Sequence, residues 1–390
     1  MAAAADIAVR PGLAPCASDP EFELLLACCG KKIEESELTA ILHSPLNWDR
    51  VLYLANHHRI LPALFFFLPG RREAPPSIQS ALRTRFQKHA TQVLRLSAEL
   101  TGILQKLESC GIEVLAHKGP VLAERLYGDP AMRQFGDLDF LICAEDIPRA
   151  RTALQELGYT ANLQLSARKE EAYLRSGYEH VFGSDAGRNL VELQWQIMPR
   201  FYSVGFHMDS LFSRSVEGDF EGEHVQMLRN EDLMLVLCAH AAKHGWEHLG
   251  MVRDIAMLAS FDLNWNWIEG EARRLGILRI LLISLLLARN LLGCRVPQGF
   301  SLDSETLICE KFSRDFERKL ETGDTTEIDS LDYFRTMMQL RERWRDRARF
   351  AWRLAVTPSI GEWKSLAIPD SLFPVYRGVR AMRLLRRLCS

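Results

Sequence analysis

Apolar positions along the chain fall into two long blocks of helical spacing, with a shorter stretch between them where the spacing changes. Residues 20–110 form the first block. "DPEFELLLACC" opens on an Asp-Pro start signal, and "NWDRVLYLANHHRILPALFFFL" repeats apolar residues three and four apart. Pro75-Pro76 breaks this pattern, and a long helix is predicted from Ser77 to Ser109, ended by Cys110-Gly111. From Asn230 the chain again reads as helical to its end, with Pro-marked loops near Pro297, Pro358 and Pro369. Its most apolar run, "ILLISLLLA" between Arg279 and Arg289, is far short of the ~20 residues a membrane span needs and predicts a buried helix.

The middle stretch alternates strand and helix, and only residues 110–200 do so. "IEVLA" reads as a strand, "PVLAERLY" as a helix, "GDPAMRQFG" as a loop and "DLDFLI" as a strand. "IPRARTALQELGY" reads as a helix capped at Gly158. In "YEHVFGSDAGRNLVELQW", Asp185-Ala186-Gly187 lies between two alternating runs and predicts a hairpin. The expected class is α+β: a small mixed-sheet core at residues 110–228, flanked by an N-terminal helical region (1–109) and a C-terminal one (229–390).

Composition narrows the partners. The chain has 390 residues, 47% of them hydrophobic, with 48 Lys and Arg against 50 Asp and Glu, so no basic excess points to nucleic acid as an obligatory partner. The nine cysteines show no CxxC or Cys/His metal spacing, which predicts reduced thiols in a cytoplasmic setting. "MAAAADIAVRPGLAPCAS" lacks a basic segment followed by an apolar core, so no secretory signal is expected there.

Three elements of the middle stretch carry chemistry. In "LAHKGPVLAERLY", Gly119 turns a strand into a helix and Pro120 takes the first helical position, leaving N–H groups and a positive dipole end facing out. His117 and Lys118 flank that turn, which reads either as an anion site or as an ordinary strand–helix connection. In "GDLDF", Asp137 and Asp139 share one strand face while Leu138 and Phe140 share the other. Two like charges side by side suit a hard divalent cation, and an isolated DxD also suits a solvated strand entrance. In "LVELQW", Glu192 and Gln194 share a face; if this strand lies beside "DLDFLI", Glu192 joins the aspartates. Three acids facing a helix N-terminus are the arrangement of metal-assisted phosphoryl or nucleotidyl transfer.

The run Lys118-Gly119, then "LYGDPAMRQFGDLDFLI", then "VELQW" resembles the polymerase-β-like nucleotidyltransferase superfamily and, within it, the bacterial family of uncharacterised nucleotidyltransferases. The later "LCAHAAKHGWEHLGMVRDIAML" and the tail "LAIPDSLFPVYRGVRAMRLL" are similar to that family as well. The resemblance implies a nucleoside triphosphate, ATP first, with Mg2+ or Mn2+ held by Asp137, Asp139 and Glu192. It implies phosphate contacts from Lys118, Gly119 and Arg133, with Arg133 alternatively pairing with Asp129 or Asp137 to organise its loop. Pyrophosphate would leave as an acceptor attacks. A small-molecule acceptor ranks ahead of tRNA or protein. Pro120 stands where the superfamily has Ser or Gly, and Gln194 where the family has His. These departures support an alternative: an inactive nucleotide-sensing or partner-binding relative. A phosphotransferase releasing ADP is a third reading.

"AHAAKHGWEHLGMVRDIA" places His240 and His244 one turn apart with Lys243 and Asp254 nearby. These four are candidates to line the substrate cleft, with Asp254 or a histidine as general base; zinc binding and plain helix packing are the other readings of the same pattern. "RERWRDRARFAWR" predicts a salt-bridged helix. The C-terminal "YRGVRAMRLLRRL" is basic and amphipathic, a docked helix or a surface for membrane or nucleic acid.

Overall fold

The computed structural model describes residues 19–71, 73–183, 190–295, 306–328 and 330–357, together with positions 375 and 378. The N-terminal eighteen residues, the Asp185-Ala186-Gly187 turn, the loops at Pro297, Pro358 and Pro369, and the basic C-terminal stretch lie outside the described residues. The protein is α+β, with a five-stranded mixed sheet, a separate two-stranded sheet and flanking helices.

Helices α1 (Pro20–Cys28), α2 (Glu35–His43), α3 (Trp48–His57) and α4 (Leu61–Phe67) precede the 34-residue α5 (Pro76–Ser109). The Asp19 carboxylate caps α1 by accepting from the Glu21 and Phe22 N–H groups, as the Asp-Pro signal predicts. The core then runs β1 (Val114–Ala116), α6 (Gly119–Tyr127), β2 (Asp137–Ile142), α7 (Ile147–Glu156), β3 (Thr160–Ala161), α8 (Ala167–Ser176), β4 (Glu179–Gly183) and β5 (Leu190–Gln194). Strand order is β1-β2-β5-β4-β3, with β2 and β5 parallel and the other neighbours antiparallel.

Strand structure does not stop near residue 200. After α9 (Met208–Ser213), β6 (Val216–Phe220) and β7 (Glu223–Met227) form a hairpin. Its turn residues, Glu221 and Gly222, both have positive φ, the conformation a tight two-residue hairpin needs. The helical block follows: α10 (Asn230–Lys243), α11 (Leu249–Leu258), α12 (Trp265–Leu275), α13 (Leu278–Leu292), α14 (Thr306–Thr322), α15 (Leu331–Gln339) and α16 (Trp344–Val356). The run Ile280 to Ala288 is buried throughout within α13, and no helix of the described residues is long and apolar enough to cross a membrane. The predicted salt-bridged helix begins only at Trp344. Arg341, the first residue of that predicted helix, is instead buried before it and donates to the Gly276 and Tyr202 carbonyls. All seven cysteines among the described residues are free thiols.

Two hydrophobic clusters hold this arrangement. One joins the N-terminal helices to the C-terminal ones, so that Leu24, Leu54 and Leu64 share a core with Leu235, Ile255 and Leu281. The other packs the far half of α5, including Leu96 and Leu107, with α7 against the sheet residues Leu138, Phe140 and Leu193. The helical regions thereby close over the open face of the sheet. An ion-pair knot fixes α10: Arg214 donates through Nε and Nη2, and Arg229 through Nε, to the buried Asp232 carboxylate, at 3.0, 2.8 and 2.8 Å. Asp232→Ala leaves two partly exposed guanidiniums without their shared partner. Unfolding stability should fall by about 2 kcal/mol in a urea titration, a buried-pair penalty reduced by the solvent reaching both arginines. A loss under about 0.5 kcal/mol would show that solvent already satisfies them.

Candidate active site

Local backbone preferences set the site's frame. β1 ends at Ala116, and Lys118 stands in extended conformation as the residue before α6, with no side chain capping the helix. Gly119 has φ 61°, in the left-handed region, and a Cβ there would sit 3.6 Å from the Asp137 carbonyl oxygen. A glycine is therefore suited to bring the turn against β2. Pro120 occupies the start of the helix, where its missing N–H costs nothing.

The parallel register of β2 and β5 sets Asp139 directly beside Glu192. With side chains alternating, Asp137, Asp139, Glu192 and Gln194 share one face, while Leu138, Phe140 and Leu193 enter the core beneath. On the next strand, Glu179 pairs in register with Gln194 and adds a fourth carboxyl group to that face. The cleft above the sheet, partly open to solvent and about 150 Å3 in volume, is bordered by all four acids, Lys118 and residues of α10.

Charge balance within this cleft is tight. Lys118 Nζ donates to Asp139 Oδ1 at 3.1 Å, and Gln194 Nε2 donates to Asp139 Oδ1 at 2.8 Å and Glu192 Oε2 at 2.9 Å. Burial pushes the Asp139 carboxyl up, but the Lys118 charge and its hydrogen bond outweigh it and hold the group at about 2. Glu192 goes the other way: burial, then the Asp139 and Glu179 carboxylates, push it up to about 8. Asp137 is also raised, by burial and by Asp139, against the pull of Lys118, Arg59 and Arg133. Glu179 is raised by burial despite Lys243 and a hydrogen bond from the Tyr178 hydroxyl.

The sequence candidates converge on this one region. Lys118, Gly119, Arg133, Asp137, Asp139, Glu192, His240, Lys243 and His244 border the acidic cleft, and Asp254 borders an adjoining pocket. Arg133 has neither of the partners predicted for it: its Nε donates to Asp254 at 2.8 Å rather than to Asp129 or Asp137. Asp254 also accepts from the Tyr127 hydroxyl at 2.7 Å, so its buried carboxylate is engaged as an anchor rather than free as a base. The helix carrying His240 ends at Lys243, and the chain turns through Gly245 and Trp246, both at positive φ, before α11. Burial holds His240 well below the usual imidazole range and His244 at about 3, with Lys243 and Lys118 adding to the effect. Both rings are thus neutral near pH 7. Lys243 donates to the Tyr178 hydroxyl at 3.3 Å, and burial lowers its pKa.

Sequence patterning passed over Glu179, Tyr178, Arg59 and Arg253. Glu179 carried a readable signal, a carboxylate opening a strand as Asp137 does. The other three reach the site through long-range packing.

The donor set suits a hard divalent cation: carboxylates short of positive charge, with a proton retained on Glu192 in its place. Among the described residues, no three His, Cys, Asp or Glu side chains already converge as a ligand group; Lys118 and Gln194 take the Asp139 oxygen such an ion would share.

A family model described as "uncharacterised nucleotidyltransferase" matches residues 44–293. No curated protein matches the chain. Among solved structures, an antigenic nucleotidyltransferase-like protein from Paracoccidioides brasiliensis aligns at 14% identity and TM-score 0.33, over 52% of this chain and 94% of that one.

The raised Glu192 pKa has a stability consequence with a definite sign. Between pH 4.5 and about 8 the folded state holds a proton that the unfolded state has lost, so stability falls as pH rises through this window and levels off above it. Metal-free wild type should lose stability at up to about 1.4 kcal/mol per pH unit from this group. Glu192→Gln should flatten that slope and be the more stable protein at pH 8.5 in chelator-treated buffer. Parallel pH profiles of the two proteins would place the proton elsewhere.

Proposed function

The chain belongs to the uncharacterised nucleotidyltransferase family, and from that membership we propose that it moves a nucleoside monophosphate from a nucleoside triphosphate to an acceptor. ATP is the first candidate donor, and a small molecule ranks ahead of tRNA or protein as acceptor. The proposal extends to a place in the polymerase-β-like superfamily, a bacterial origin and a cytoplasmic setting. The observation that carries it is the in-register pairing of Asp139 with Glu192, beside Asp137 and opposite the Lys118-Gly119 turn.

In this reaction an acceptor oxygen or nitrogen attacks the α-phosphorus, the bond to the bridging oxygen of the β-phosphate breaks, and pyrophosphate leaves with that bonding pair. A divalent cation such as Mg2+ or Mn2+, when bound, supplies charge neutralisation at the phosphate oxygens. Asp137, Asp139 and Glu192 would hold it, and Glu192 must first give up the proton that burial and its neighbours keep on it. Lys118 is placed to exchange Asp139 for a phosphate oxygen, keeping one positive charge in the cleft throughout. The uncapped start of α6 offers N–H groups to the same anion. Arg133 is held in place through Asp254 and Tyr127 and contributes charge at the cleft wall. Lys243 and Tyr178 border the same cleft, where a polar acceptor would meet them.

One observation favours a second reading, in which nucleotide binds without turnover: the Gln194 amide bridges Asp139 and Glu192, tying up oxygens that catalysis requires. Calorimetry with non-hydrolysable ATP, GTP, CTP and UTP analogues, with and without Mg2+, tests both. The transfer reading predicts metal-dependent binding weakened at least tenfold in Asp137→Asn/Asp139→Asn, and pyrophosphate release on turnover. Equal binding in the mutant with no release would favour the second reading, release of ADP would indicate phosphotransfer, and no binding at all would overturn the proposal.

A further inference from the structure

Beside the acidic cleft, and sharing Arg59, Lys118 and Arg133 with it, lies a small, partly open pocket in which cations outnumber acids. Arg59, Lys118, Arg133 and Arg253 border it, with Asp254 as its one acidic residue, and that carboxylate is already taken by Arg133 and Tyr127. His240, the histidine on this wall, is kept neutral by burial and adds no charge.

Arg253 is the unusual member. It is only 9% exposed, stacks its guanidinium 4.3 Å from the Tyr127 ring centre and donates Nη1 to the Met132 carbonyl at 3.1 Å. Its buried Nε has no partner, and it makes no ion pair among the described residues. A buried guanidinium without a counter-charge is expensive, and the pocket it borders is where an anion would complete it.

Arg59 borders the same pocket. It joins α3 to α4 with φ 58°, a conformation that costs a non-glycine residue about 1 kcal/mol or more. The preceding His58 carbonyl accepts from Gly250 N–H at 2.9 Å, and a Cβ on Gly250 would come within 3.0 Å of that oxygen. A close backbone contact thus pins the loop to α11, the helix that carries Arg253. The exposed Arg59 side chain has no hydrogen bond or ion pair among the described residues.

We propose that this pocket is a phosphate-binding subsite continuous with the acidic cleft, in which Arg59 and Arg253 grip a phosphate group of the substrate. Guanidinium forks match phosphate oxygens in pairs, and the pocket's excess positive charge suits an anion of charge near two. The phosphate belongs either to the triphosphate donor or to a phosphorylated acceptor. The assignment of a substrate rests on the nucleotidyl-transfer reading; the affinity for phosphate does not.

Calorimetry at pH 7.5 with inorganic phosphate as the probe tests the subsite. Wild type is expected to bind phosphate. Arg59→Ala and Arg253→Gln should each weaken it about tenfold or more, as for loss of a charge-assisted hydrogen bond. Asp137→Asn/Asp139→Asn should bind it at least as well as wild type. If phosphate still binds with a non-hydrolysable ATP analogue and Mg2+ saturating, the acceptor carries the group. If the analogue displaces phosphate and itself binds more weakly to the arginine variants, the donor does. Absence of phosphate binding to wild type, or wild-type affinity in a folded Arg59→Ala protein, would overturn the subsite. Phosphate binding without any nucleotide binding would leave the subsite standing and remove the transfer reading instead.

Discussion

Four carboxyl groups on one sheet face, with a single ammonium hydrogen-bonded among them, are the constraint around which this protein is arranged. Lys118 contacts Asp139, and no other cation among the described residues is within hydrogen-bonding distance of Asp137, Asp139, Glu179 or Glu192. The shortage appears as opposite displacements of neighbouring groups, Asp139 held near 2 and Glu192 pushed to about 8. One lysine can neutralise one carboxylate. Burial and mutual repulsion raise the carboxyl groups of Asp137, Glu179 and Glu192, and Glu192, at about 8, keeps a proton that added positive charge could replace.

The surrounding helices serve the same economy of charge. Because α10 and α11 share a core with the N-terminal helices, the cleft is roofed by residues far apart in sequence: Arg59 from one region, His240, Lys243 and Arg253 from the other. The histidines of this roof stay neutral, so its positive charge comes from lysine and arginine. The cleft over the sheet therefore sets cations against carboxylates, and the adjoining pocket has cations in excess. A substrate with both a cation-bridged phosphate and an anionic end fits such a division.

Much of this was legible in the chain itself. Strand alternation put Asp137 and Asp139 on one face and Leu138 and Phe140 on the other, because a period of two leaves no other choice. Glu192 was found as a same-face acid on a neighbouring run, but its alignment with Asp139 depends on β5 pairing parallel to β2, which periodicity does not determine. The β6–β7 hairpin was passed over for a physical reason: in "VEGDF" and "EHVQM" only Phe220 and Val225 are buried, so burial imposed no apolar alternation on them. Local pairing was the alternative to a phosphate contact for Arg133, whereas the carboxylate it pairs with lies 121 residues away on α11. Arg59 and Arg253 gave no signal, since the first looks like an ordinary charge between helices and the second like an ordinary charge within one until the two helical regions close on each other.

The proposed transfer site requires Lys118 to stand in for a cation that the carboxylates would hold once nucleotide binds. The most direct measurement is a crystal structure of the protein with Mn2+ and a non-hydrolysable ATP analogue, located by anomalous scattering. The expected result is Mn2+ bound by Asp137, Asp139 and Glu192, with Lys118 moved from Asp139 to a phosphate oxygen. Lys118 still paired with Asp139, and no metal in contact with the three acids at saturating Mn2+ and nucleotide, would contradict it.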